Sequence, residues 1–242
     1  MARVTTFAEA TWDEIDALRT RITNAPANSV ADSAQGFASA FAETFSTVAL
    51  VRVFMVVPFA KLPARDQAFA LALVGNDPRV NPETLTLSLL GTRGVEAAFD
   101  ARHLSRAHLA IPLVDRAFVA SAPMIATLLA HLEVDLSALD QGKAIATRRM
   151  LGGENGRFYV PDALAAVDDT GRPIIPARDF VERHGVRTVF GMGGAYLDGT
   201  LAIAIVFTRE QLDALVVDRY PSFIGTFKIA TMRLQRENRI YA

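Results

Sequence analysis

Residues 186–208 constrain this chain more than any other stretch. They read Val-Arg-Thr-Val-Phe-Gly-Met-Gly-Gly-Ala-Tyr, then Leu-Asp-Gly-Thr, then Leu-Ala-Ile-Ala-Ile-Val-Phe-Thr. Two β-prone runs flank an Asp-Gly pair, the strongest short-range hairpin signal. With Asp198 and Gly199 as the two loop residues of a type I′ turn, Leu197 pairs with Thr200 and the side chains sort by size. One face then carries Ala195 opposite Ala202, Gly193 opposite Ala204 and Gly191 opposite Val206. The other carries Tyr196 with Leu201, Gly194 with Ile203, Met192 with Ile205 and Phe190 with Phe207. A hairpin apolar on both faces belongs at the centre of an antiparallel sheet covered on both sides.

The remaining chain can supply that cover. Its 242 residues are 51% apolar and 21% charged, within the globular range and sufficient for a large core. Thr11 and Glu14 form a capping box ahead of a helical stripe of Trp12, Ile15, Leu18 and Ile22. A second helix is predicted from about residue 32, with Phe37, Phe41 and Phe45 on one face. Three large rings call for a surface of small residues, so this helix is expected on the Gly/Ala face of the hairpin. Residues 47–57 form a two-sided apolar run suited to a central strand, and 84–89 alternate as a half-buried one. Gly91 and Gly94 are read as a turn into a helix over 95–104. Later elements are a strand near 108–113, a helix after Ser121, a short strand at 158–160 and a helix over 177–184 closed by Gly185. Thr208 and Gln211 are read as the cap of a last helix, broken near Pro221, whose seam is Phe223, Phe227, Ala230 and Leu234.

Several chemistries are excluded outright. Without cysteine there are no disulfides, thiolate metal sites or cysteine nucleophiles. A net charge of −1 offers no footprint for a nucleic-acid backbone. The N-terminus lacks the basic and apolar regions of a signal peptide, and no apolar run is long enough to span a bilayer, so the expected setting is the cytoplasm. His103 and His108 are five apart, which suits neither one helix face nor one strand face, so no metal is expected. His131 and His184 fall near helix C-termini, where the dipole favours positive charge. Gly191-Met-Gly-Gly194 continues along a strand instead of opening a helix, so it is not read as a phosphate loop. The glycines of 148–157, beside Arg148, Arg149 and Arg157, make an anion-binding loop or a solvated one. Arg52 interrupts the central apolar run. It calls for a carboxylate or carbonyl partner, as the commoner structural pair or as a ligand anchor.

Residues 158–163 (Phe-Tyr-Val-Pro-Asp-Ala), 174–177 (Ile-Ile-Pro-Ala), 179–182 (Asp-Phe-Val-Glu) and 185–207 carry a resemblance to a known family. The chain resembles the GAF-type sensory modules, relatives of PAS domains, found upstream of bacterial histidine kinases and cyclases. The resemblance spans about residues 30–235 and implies an α+β fold. That fold is a central antiparallel sheet with helices on both faces, its terminal helices on one side and a ligand-size pocket on the other. The organisation read here is an N-terminal helical extension over 1–30 and a GAF-like domain over 31–242. A kinase or cyclase would begin where this sequence ends, at Ala242, so output in cis is not expected. With no cysteine, a covalently held bilin is excluded.

The functional expectation is a non-catalytic small-molecule sensor or regulatory module of bacterial signal transduction. It acts as a homodimer of terminal helices on a signalling partner protein. The alternative is a small cytoplasmic, oxidoreductase-like enzyme on a GAF-like or profilin-like scaffold. Strongly perturbed titratable groups in a pocket would favour the enzyme, and an apolar or aromatic lining the sensor. The ligand site is placed over the large hairpin face, at Phe190, Met192 and Tyr196, with Tyr159 beside them and Arg149 supplying charge. No catalytic residue is named, and the cofactor is left open.

Overall fold

The computed structural model describes residues 5–141, 146–147 and 156–241. In chain order, α1 (Trp12–Asn24) and α2 (Val30–Thr44) precede β1 (Val48–Pro58). Then come α3 (Ala64–Leu73), β2 (Leu85–Gly94), β3 (Ala110–Pro112), α4 (Arg116–Ser121) and α5 (Pro123–His131). A small ladder pairs β4 (Val134–Asp135) with β5 (Ala146–Thr147). The chain continues through β6 (Gly156–Val160), α6 (Arg178–His184), β7 (Thr188–Ala195), β8 (Leu201–Thr208), α7 (Ala214–Val217) and α8 (Ser222–Arg236).

The six main strands form one antiparallel sheet in the order β3-β2-β1-β8-β7-β6. β1 and β8 lie side by side at its centre, as their two-sided apolar sequences require. Alternation divides β1 between two cores. Val51, Val53, Met55 and Val57 face α1, α2 and α8, while Leu50, Phe54 and Val56 face the layer that contains α4, α5 and α6. The architecture is α+β, a central antiparallel sheet with helices on both faces.

The Asp-Gly hairpin forms, but one residue out of the expected register. Phe190 pairs with Val206, Gly191 with Ile205, Met192 with Ala204 and Gly193 with Ile203. The turn is a three-residue loop, with Tyr196 N–H donating to Thr200 O and Gly199 N–H to Tyr196 O, and Gly199 at φ +84°. A type I turn followed by a left-handed glycine inserts one more loop residue than a type I′ turn. The sorting by size is therefore corrected: each face mixes large residues of one strand with small residues of the other. Phe190, Met192 and Tyr196 point to the terminal helices together with Ala202, Ala204 and Val206, and Ile203, Ile205 and Phe207 point to the opposite side.

The site of close approach for α2 is corrected too. Gly193 faces away from α2, where a Cβ would meet Leu132 Cδ1 at 2.6 Å. The glycine that receives α2 is Gly91, which continues β2 and forms no turn; a Cβ there would overlap the Ala34 and Gln35 backbone. The Gln35 side chain reinforces the contact, donating to Thr92 O at 2.8 Å and accepting from Thr92 N–H at 3.2 Å. The phenylalanine stripe packs within the helical layer. Phe37 stacks on Phe41 with centroids 4.7 Å apart, Phe41 meets Phe223 edge-on at 5.0 Å, and Phe45 stacks on Phe7 at 4.0 Å. The helix expected over 95–104 is replaced by two single turns, Ala97–Phe99 and Arg102–Leu104.

At the N-terminus, the Thr11–Glu14 capping box forms with both bonds in place. The α1 stripe needs no partner chain: Ile15, Leu18 and Ile22 are buried among the chain's own helices, while Trp12 stays 60% exposed under the Arg219 guanidinium. Near the C-terminus, Asp213 rather than Thr208 caps α7, its side chain accepting from Val216 N–H. Phe223, Phe227 and Leu234 of α8 are buried in the same core.

Candidate functional site

Opposite the terminal helices, the sheet is not packed solid. A cavity of about 280 Å³ lies over β1, β2 and β8, with Leu50, Phe54, Leu87, Ile205 and Phe207 as its floor. The register of β8 puts Ile205 and Phe207 there. Met124, Ile125 and Leu128 of α5 wall one side, and Phe180 and Arg183 of α6 another. Glu96, Phe99 and His108, from the irregular segment between β2 and β3, line it too, with Ile111 of β3 and Ile175, Pro176 and Ala177 ahead of α6.

The polar centre of this cavity is Arg52. It lies in β1 between Leu50 and Phe54, and alternation turns it to the cavity side. It is only 8% exposed. Nη1 donates to His108 Nδ1 at 3.2 Å, Nη2 reaches Ser105 Oγ at a long 3.5 Å, and Nε has no partner. The guanidinium lies 5.4 Å from the Phe99 ring centroid, within cation–π range. No carboxylate pairs with it among the described residues. Burial lowers its pKa to about 10. Burial, then the neighbouring Arg52 charge, pushes His108 down to about 4. His108 is itself an exposed residue, so solvent screens part of this shift. Its φ of +58° is a left-handed conformation uncommon outside glycine. At one side of the cavity Glu96 is held by His184 Nε2 at 2.7 Å and Arg183 Nη1 at 3.4 Å.

No family model matches this chain, and no curated protein matches it. Solved structures do align with nearly all of it. The chain is similar to the phycoerythrobilin-bound GAF domain from a cyanobacterial phytochrome, at 11% identity over 94% of this chain and 98% of that one, TM-score 0.48. It is similar to free methionine-R-sulfoxide reductase from Neisseria meningitidis in complex with its substrate, at 10% identity over 98% and 99%, TM-score 0.46. It is also similar to the GAF domain from Acinetobacter phosphoenolpyruvate-protein phosphotransferase, at 10% identity over 94% and 97%, TM-score 0.44.

Of the described residues placed at the ligand site from sequence, none lines this cavity, and Tyr196 borders a separate pocket with Lys61, Asp198, Met232 and Gln235. Phe190, Met192 and Tyr196 are buried under the terminal helices and do not line the cavity. The Tyr196 hydroxyl is bonded to Thr231 Oγ1 at 2.6 Å. Tyr159 lies on β6, its hydroxyl donating to Leu212 O at 2.8 Å. Arg149, with Arg148, lies outside the described residues. Arg157 pairs with Asp218 and has its guanidinium 5.6 Å from the Tyr159 ring centroid. Of the features singled out from sequence, Arg52 is the one the cavity is built around. His108, Ser105 and Phe99 are not legible as its companions, because the helix expected over 95–104 is replaced by two single turns and the irregular path that follows sets where they lie.

No group of three or more metal-ligating side chains is placed to hold a metal ion among the described residues. No helix among them is long and apolar enough to cross a membrane.

Proposed function

We propose that this chain is a small-molecule-binding sensory or regulatory module whose ligand site is the cavity over β1, β2 and β8. The observation that carries the reading is the cavity's composition, an apolar and aromatic chamber with one buried, under-partnered guanidinium. Ligand sites are concave and mainly apolar, with a few placed polar groups that fix orientation. The perturbed pair Arg52 and His108 fits binding better than proton transfer, since the guanidinium stays protonated and the imidazole serves as its acceptor. This favours the sensor over the oxidoreductase-like alternative. In this reading the module pairs through its terminal helices as a homodimer and passes occupancy to a partner protein.

Native mass spectrometry of the purified protein, before and after mild heating, tests the site. A retained small molecule, lost in a folded Ile125→Trp variant that fills the cavity, is the expected result. Retention of the same molecule by that variant would move the site elsewhere.

A further inference from the structure

We infer that the cavity selects a small monoanion with an apolar body, a short alkyl or aryl carboxylic acid, whose carboxylate docks on Arg52. The inference rests on the cavity being the ligand site, as proposed above. Charge is the first argument. A buried guanidinium ordinarily has an anionic partner, because its desolvation is otherwise uncompensated. Arg52 has neutral partners only, among the described residues, and its Nε has none. Nε is sealed from solvent, so a carboxylate in the cavity would meet the terminal nitrogens of the guanidinium, in a charge-assisted bond stronger than the neutral contacts they now make.

The neighbours decide which charges remain available. Glu96 is the acidic residue among those lining the cavity, and it is already engaged by His184 and Arg183. His108 accepts from Arg52 and remains neutral at neutral pH, so it orients the guanidinium without adding a second cation. One uncompensated positive charge matches one negative charge. A phosphate or a dicarboxylate would bring a second charge, for which the other lining cation, Arg183, is already paired with Glu96, while Phe54, Leu87, Ile111, Met124 and Leu128 offer no donor. Size narrows the class further. At about 280 Å³ the cavity falls just below the range of roughly 300–1,000 Å³ typical of drug-sized ligands. Tetrapyrroles exceed it.

The test is isothermal titration of the full chain with octanoate and with 1-octanol, equal in chain length and different in charge. Octanoate is expected to bind about tenfold or more tightly than 1-octanol, the difference a charge-assisted hydrogen-bonded pair supplies. Arg52→Gln should erase that preference by weakening octanoate alone. Arg52→Lys, which keeps the charge but loses the planar fork, should recover part of it. Should Arg52→Gln fail to fold by circular dichroism, the wild-type comparison and Arg52→Lys still decide. Equal affinity for the two probes overturns the anion assignment and leaves the cavity as a binding site. Octanoate preference unchanged in a folded Arg52→Gln protein also overturns it. Binding of neither probe to the wild type overturns both the ligand class and the cavity reading.

Discussion

Arg52 Nη1 donates to His108 Nδ1 across 3.2 Å, which fixes the imidazole as the neutral tautomer with its proton on Nε2. A guanidinium has no acceptor to offer, so a protonated His108 would set two cations face to face. That places the ring under a constraint visible in how the protein responds to acid.

Burial against the cavity and the Arg52 charge lower the His108 pKa from 6.5 toward about 4 in the folded chain, whereas the unfolded chain takes up its proton near 6.5. Between those values the unfolded state binds more protons, so the stability due to His108 is complete above about pH 6.5 and is lost as the pH falls toward 4. His108→Gln should flatten this stretch of the profile. Guanidinium chloride midpoints at pH 7.5, 6 and 4.5 for the two proteins check it. Parallel profiles would show that the imidazole is not held neutral.

Leu132, which follows α5, seats on two glycines paired across β6 and β7: a Cβ at Gly156 or at Gly193 would come within 2.6 Å of its methyl groups. Gly193→Leu should destabilise the protein by about 1–3 kcal/mol or more, because overpacking forces the backbone to move. In a Leu132→Ala background the cost should shrink, since the space it needs is then open. Denaturant unfolding of the four proteins in this cycle gives the coupling. Additive effects would place Gly193 on the other face and reinstate the two-residue turn.

Thr231 Oγ1 donates to Phe227 O at 2.6 Å and accepts the Tyr196 hydroxyl proton. Tyr196→Phe should cost about 0.5–1.5 kcal/mol, the net value of one intramolecular hydrogen bond. Because Tyr196 is on the face away from the cavity, octanoate binding should be unchanged. Thermal unfolding and titration of the same sample separate the two effects. Weakened binding with unaltered stability would return Tyr196 to the ligand site.

Association through the terminal helices has to use their outer surfaces, since the inner seams are buried within the chain. Ile229, 69% exposed on α8, is the apolar side chain to probe. Light scattering at micromolar concentration should give twice the monomer mass for the wild type and the monomer mass for Ile229→Arg. A wild-type monomer would remove the dimer from the functional reading.

The fold was more legible than the site. Capping at Thr11, the left-handed stop at Gly185 (φ +62°) and the two-sided apolar runs of β1 and β8 are local signals, and each is present in the structure. The hairpin register was not legible. Asp198-Gly199 serves equally in a two-residue loop and in a three-residue loop with glycine left-handed, and a hairpin apolar on both faces gives no polar side to choose between them. That one-residue difference carried Phe190 and Met192 to the face opposite the cavity. The cavity itself joins residues from 50 to 207, and empty space leaves no mark on a sequence. Arg52 did leave one, as a charge inside an apolar strand.

The contact of Gly91 with Ala34 leaves no slack between the sheet and the helix above it. β2 carries Leu87 under the cavity and Gly91 under α2, and β1 beside it carries Arg52 on one side and Val51 and Val53 on the other. Close-packed layers of this kind are nearly incompressible. A strain of the sheet's centre on the Arg52 side is therefore passed on to α2, as load passes through a rigid beam.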